Sequence, residues 1–233
     1  MQPKIVFRSN GEVQTYFGNE SNLLLWLPEA EILEQDKVTT MFSLAKFFTY
    51  YREFFGRIYY QKTVATIEAI LDYADKKDLT THQLSYCLAT AYHEAKDAKH
   101  PHDFYPLEER GSRQYLLRYW NNSLLRKWLG NRSEEDAIKY KGRGLVQLTG
   151  RGNYEKFDLE ETPEKLLEIK TSVEVLIDGI MKGMFTGAKL IKYINKDNLD
   201  YYNARRTVNG LDKAGIIAEY ARRFETILEK SKL

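Results

Sequence analysis

From Met41 onward the apolar residues of this chain recur at intervals of three and four, and that spacing constrains the fold more than any other feature. Met41, Leu44, Phe47, Phe48, Tyr51 and Phe55 make one stripe, and Val64, Ile67, Ile70 and Leu71 make another. Such spacing turns one face of a helix toward a core. A third helix is expected over residues 81–96, THQLSYCLATAYHEAK, behind a threonine pair able to cap its start. Thr162-Pro163 offers an N-cap followed by a proline suited to a first helical turn, and a helical stretch from Ser172 is broken by Gly183 and Gly187. A last stripe, Ile217, Tyr220, Ala221, Phe224, Ile227 and Leu228, follows Asn209-Gly210. The chain is therefore expected to be mainly α.

The first forty residues follow a different pattern. KIVFRSNGEVQTYF at 4–17 sets two β-prone runs around Asn10-Gly11, a dipeptide that takes the positive φ angles of a tight type I′ hairpin. The apolar run NLLLWLP at 22–28, ending at Pro28, suits a further strand or a cover for the hairpin. We expect an accessory segment over 1–40 with a small N-terminal β-hairpin, and a core-bearing domain over 41–233.

Composition narrows the function classes. Hydrophobic residues at 43% and charged ones at 29% favour an ordinary globular protein over a disordered or membrane chain. A formal charge of +2 and an isoelectric point near 8.4 assist approach to an anionic polymer but, without a Lys/Arg run, do not imply nucleic-acid binding. The single cysteine, Cys87, sits among Leu84, Leu88 and Ala91 and reads as a small buried hydrophobe in a reducing compartment rather than a nucleophile. No apolar stretch is long enough for a membrane span, and MQPKIVFRSNGEV lacks the sections of a signal peptide, so synthesis in the cytoplasm is expected.

Candidate chemistry lies in AYHEAK at 91–96, PLEERG at 106–111 and YKGRGLVQLTGRGNY at 140–154. Glu94 stands three positions after Ala91 and seven after Cys87, on the edge of its helix's buried stripe. Partial burial raises a carboxyl's pKa, the condition for a group that must hold a proton and give it to a leaving oxygen. The alternative is a helix-end glutamate paired with a lysine or arginine. Glycoside hydrolysis needs a second carboxylate, and Glu108 and Glu109 follow in a loop able to place one across a cleft. Solvated surface charge is their alternative.

His93-Glu94 does not complete a zinc-binding helix motif, because Asp97 stands where the second histidine is needed. A metal held by His93, Asp97, His100 and His102 is disfavoured by the intervening proline, and exposed loop histidines are expected instead. Gly142, Gly144 and Gly150 fit neither a phosphate loop nor a dinucleotide fingerprint. One reading makes this segment a structural turn leading Leu145, Val146 and Leu148 into a buried strand. Beyond that it carries Gln147, Thr149 and Asn153, three hydrogen-bonding groups on a short element, two of them on one face if it is extended. A polar groove wall beside a proton donor suggests a glycan-cleaving enzyme.

Through LATAYHEA, PLEERG, LGN at 129–131, YKGRGLVQLTGRGNY, GMFTGAKL at 183–190 and ARRTVNGLDKA at 204–214, the chain resembles the family 19 glycoside hydrolases. That chitinase-like group includes bacteriophage endolysins with lysozyme activity, and the resemblance runs from about Phe55 to the C-terminus. It implies a lysozyme-like, bilobal helical domain with Glu94 as general acid. Glu109, the glutamate before Xaa-Gly, becomes the base that activates water, with Glu108 the less favoured choice. Thr149 helps to hold that water, Gln147, Asn153 and Asn209 bind sugar, and Tyr140, Arg143 and Arg222 line or organise the site. His93 and Tyr154 join them as substrate-binding candidates. Such enzymes invert the anomeric centre in one displacement, with carboxyl groups about 6.5–9.5 Å apart, and need no metal or cofactor. The lone cysteine and the short loop between Glu94 and Glu109 match the compact bacterial or phage branch.

The expected function is hydrolysis of β-1,4 links in peptidoglycan by a monomeric endolysin or prophage lysin that reaches the wall through a separate, holin-type pore. Chitin is the second substrate, because both polymers carry N-acetylglucosamine. A carbohydrate-binding or inhibitory module without catalysis is the alternative class, and the presence of both Glu94 and Glu109 argues against it.

Overall fold

The computed structural model describes residues 4–7, 13–16 and 41–233. It is mainly α, and one apolar core running from Phe42 to Leu228 holds the helices together. Strands β1 (Lys4–Phe7) and β2 (Val13–Tyr16) pair antiparallel, with Lys4 opposite Tyr16 and Phe7 opposite Val13, as the hairpin reading requires. The Asn10-Gly11 turn and the run at 22–28 lie outside the described residues.

The two stripes after Met41 form α1 (Leu44–Phe55) and α2 (Gln61–Lys76). The next helix, α3 (Thr81–Glu94), opens with a reciprocal cap. Thr80 Oγ1 accepts from the Gln83 amide at 3.3 Å while Gln83 Oε1 accepts from the Thr80 amide at 3.1 Å. Short pieces follow: β3 (Leu107–Glu108), α4 (Arg113–Leu116), α5 (Arg118–Asn121), α6 (Ser123–Leu129), α7 (Glu134–Lys139), β4 (Arg143–Gly144) and α8 (Arg151–Glu155). The chain then runs through α9 (Ile169–Lys182), the paired strands β5 (Ile194–Asn195) and β6 (Asn198–Leu199), α10 (Tyr201–Ala204) and α11 (Ala214–Ser231). Among the described residues no helix is long and apolar enough to cross a membrane.

Helix α3 is the axis of the core. Every residue from Gln83 to Tyr92 is buried, with α11 packed along it and α2 and α9 against it. Aromatic rings join α1, α3 and α11: Phe55 lies 4.5 Å from Tyr92, 4.7 Å from Phe224 and 5.1 Å from Tyr51, centroid to centroid. Cys87 is wholly enclosed, and burial pushes its thiol up to about 12, which suits the packing role expected of it.

Two local expectations fail. Thr162 stands at the N-cap and Pro163 in the first turn, but Thr162 makes no side-chain cap, Pro163–Leu167 closes as a 3-10 turn, and the next helix begins at Ile169 rather than Ser172. Leu145, Val146 and Leu148 are buried but form no strand, because the chain doubles back at once. Gly144 has φ 80° and Gln147 has φ 51°, and Arg143 and Leu148 exchange backbone hydrogen bonds at 2.9 and 3.2 Å across the turn. A tight turn thus replaces the extended element that would have set two polar groups on one face.

Phe224→Ala is expected to cost about 3–5 kcal/mol, since the α1–α3–α11 aromatic cluster cannot collapse onto the void. Thermal denaturation checks this, and an unchanged midpoint would contradict the central place given to the cluster.

Candidate active site

Helix α3 leaves the core at its C-terminal end, where Glu94 is the last residue. Tyr86, Thr90 and Glu94, spaced four apart, lie on one face of this helix. The Glu94 side chain is 19% exposed, and its Oε1 lies 2.7 Å from Nη1 of Arg205, a guanidinium only 3% exposed. Arg205 Nε donates to the Asp212 carbonyl at 3.1 Å, whereas Nη1 is near Glu94 without being aligned for a hydrogen bond. Glu94 is therefore both partly buried, as its helical position requires, and paired with an arginine. The 3-10 turn Arg205–Thr207 after α10 brings that arginine under the helix end.

The glutamate pair stands at the end of a two-stranded rung, Glu108 within it and Glu109 just beyond. Strands β3 and β4 pair antiparallel, with Glu108 opposite Arg143. Glu108 accepts from Arg143 Nε at 3.0 Å and pairs with Lys141. Burial works to raise its pKa, but the hydrogen bonds from Lys141 and Arg143 outweigh it and hold the carboxyl below the usual range. Glu109 has other partners: its Oε1 accepts from the Tyr119 hydroxyl at 2.8 Å and from Arg118 Nη2 at 2.9 Å, and its Oε2 accepts from the Gly142 amide at 3.0 Å. Its own amide donates to the Gly142 carbonyl at 2.7 Å. Glu108 braces the strand pair, and Glu109 is held by Arg118, Tyr119 and the Gly142 amide instead.

Gly142 makes room for three groups to meet. A Cβ there would stand 2.9 Å from Gln147 Oε1 and 3.3 Å from both Glu109 Oε2 and Thr149 Oγ1. The turn that carries these groups holds itself together. Gln147 Nε2 donates to the carbonyls of Leu107 and Gly144 at 3.2 and 3.1 Å, Thr149 Oγ1 to that of Gln147 at 2.9 Å, and Asn153 Nδ2 to that of Thr149 at 2.8 Å.

Glu94, Gln147, Thr149, Asn153 and Asn209 line one cleft of about 210 Å³, shared with Tyr119, Trp128, Phe185 and Arg205. Glu109 is one hydrogen bond away, through Tyr119. Trp128 is 63% exposed at this cleft, an aromatic face of the kind that packs on a sugar ring.

His93, Tyr140, Arg143, Tyr154 and Arg222 do not line it. Tyr140 and Tyr154 are enclosed and donate to the carbonyls of Glu160 and Lys141 at 3.1 and 2.9 Å. Buried Arg143 adds bonds to the Lys139 carbonyl at 2.7 Å and the Tyr154 hydroxyl at 3.2 Å, so these three organise the turn from behind. His93 lies beside the Tyr220 ring at 6.4 Å, and burial holds its imidazole below the usual pKa. Arg222 is exposed on α11. His100 and His102 are half-buried rather than free in a loop: His100 stacks on Tyr59 at 4.2 Å, and His102 Nδ1 lies 3.1 Å from the Tyr92 hydroxyl. Arg118, Tyr119, Trp128 and Arg205 were not singled out from the sequence. Only Arg205 carried a signal, its place in the ARRTVNG run.

Glu108→Gln is expected to lower stability by about 1–3 kcal/mol, because it leaves a buried guanidinium with a weaker partner. Urea denaturation measures this, and an unshifted midpoint would show that Glu108 does not brace the rung.

No family model matches the chain, and neither a curated protein nor a solved structure is significantly similar to it, so the chemistry of the cleft has to be argued from its own residues.

Proposed function

We propose that the chain is a glycoside hydrolase that cleaves β-1,4 links of peptidoglycan by an inverting, two-carboxylate mechanism. The observation that carries this reading is the meeting of Glu109 Oε2, Thr149 Oγ1 and Gln147 Oε1 over Gly142, beside a cleft that also holds Glu94. In this scheme Glu94 gives its proton to the glycosidic oxygen as the bond to the anomeric carbon breaks. A water held by Thr149 attacks that carbon from the opposite face and passes its proton to Glu109, which leaves an inverted hemiacetal. Arg205 fixes the position of the acid, and Arg118 and Tyr119 fix that of the base. Trp128 supplies a stacking face, while Gln147, Asn153 and Asn209 supply hydrogen bonds to sugar.

The same reading makes the domain lysozyme-like and bilobal, related to the family 19 enzymes, and makes the protein a monomeric lysin that reaches the wall through a holin-type pore. Glu94→Gln and Glu109→Gln are each expected to reduce clearance of a peptidoglycan suspension by about 10²–10⁴-fold while the chain still folds, with losses of stability no larger than that of Glu108→Gln. Products analysed by mass and reducing end should be hydrolytic, with the inverted anomer formed first. Anhydro ends, cleaved peptides or undiminished clearance by Glu94→Gln would overturn the assignment, and chitin oligomers run in parallel rank the two polymers.

A further inference from the structure

A cavity of about 710 Å³, larger than the cleft, opens between the first turn of α2 and the loop joining Glu94 to Glu109. Lys62, Lys99 and Arg110 line it with one carboxylate, Asp97, and none of the three cations forms an ion pair among the described residues. Asp97 is already engaged, accepting from the amides of Lys99 and His100 at 2.9 and 2.8 Å and from the Tyr105 hydroxyl. Lys62 Nζ lies 3.2 Å from the ring centroid of Tyr105 and 5.0 Å from that of Tyr60, so the ammonium is held against two aromatic faces. Burial lowers the pKa of Lys62, and Arg110 lowers it further against the pull of Asp97 and Asp103. Three cations thus share the cavity with one carboxylate that is already hydrogen-bonded.

The ligand that such a wall suits is organic and anionic. The volume falls in the range of small-molecule pockets and far exceeds an inorganic ion. Ala65 and Ile169 add apolar surface. Arg110 directly follows Glu109, so the rim lies one residue, about 3.8 Å of chain, from the candidate base. A short acidic peptide carries both carboxylates for the cations and methyl groups for the apolar wall. We propose that this cavity binds the carboxylate-bearing peptide that branches from the glycan strand, so that sugar is held in one cleft and its peptide branch in the other. This rests on the peptidoglycan reading above, and it distinguishes that polymer from chitin, which has no such branch.

Calorimetric titration of the full chain with the free tetrapeptide L-alanyl-γ-D-glutamyl-meso-diaminopimelyl-D-alanine tests it, with inorganic phosphate as the comparison. Saturable peptide binding is expected, weakened about tenfold or more in Lys62→Gln/Arg110→Gln, with phosphate bound at least about tenfold more weakly than peptide. In turnover, the double variant should raise KM on peptide-bearing glycan by a similar factor and leave chitin-oligomer hydrolysis unchanged. No saturable peptide binding, binding undiminished in the double variant, or phosphate bound as tightly as peptide would overturn the proposal. Peptide binding that depends on Lys62 and Arg110, in a protein that cleaves neither polymer, would uphold the cavity and sink the hydrolase reading.

Discussion

A helix buried on every side meets water only at its ends, and α3 is such a helix. Two of its polar members are tied inside: Gln83 Nε2 donates to the Ile194 carbonyl at 3.2 Å, and Ser85 Oγ donates to that of Thr81 at 2.7 Å. Packing by α2, α9 and α11 leaves α3 no freedom to rotate or slide, since any such shift would unseat residues that are all close-packed. Glu94 inherits that rigidity because it stands where the burial stops. A carboxylate on a loop would have no comparable support, and Arg205, itself anchored to the Asp212 carbonyl, adds a fixed charge beneath it.

The second carboxylate is placed by a different device. Successive residues of a strand face opposite ways, so the pairing of Glu108 with Arg143 sends one glutamate to the cations of its own rung and the next to Arg118 and Tyr119. A slip of one residue would exchange the two roles. Register therefore decides which glutamate reaches Arg118 and Tyr119, and the buried partners of Arg143, Tyr154 and the Lys139 carbonyl, matter because they hold it.

What could be read beforehand follows from how each element is buried. Helices with one wet face, such as α1 and α11, carry a period of three to four in their sequence. Helix α3 has no wet face along most of its length, so its start showed in the Thr80 cap instead of in a stripe. The 140–154 segment is legible as a source of cleft-lining polar groups and illegible as a path. Its turn depends on a positive φ at Gln147, a residue whose side chain is tied to two carbonyls by the tertiary structure. Gln147, Thr149 and Asn153 face the cleft, whereas Tyr140, Arg143 and Tyr154, equally suited by type, face inward. A linear pattern does not record the side of a loop from which a side chain leaves. Arg205 and Tyr119 escaped for the same reason, since partners far apart in the chain are chosen by packing.

Between the end of α3 and Glu109 the chain is short, and its order comes from hydrogen bonds more than from packing. Asp103, fully buried, accepts from the amides of Tyr59 and Tyr60 and from Thr63 Oγ1 at 2.7 Å, which ties the middle of the loop to the start of α2. Asp97 gathers the amides of Lys99 and His100, and Lys96 bridges to Phe104. The loop is thereby a strut between the two carboxylates, with the cleft at its Glu94 end and Asp97, Ala98, Lys99 and Tyr105 along it lining the cation-rich cavity.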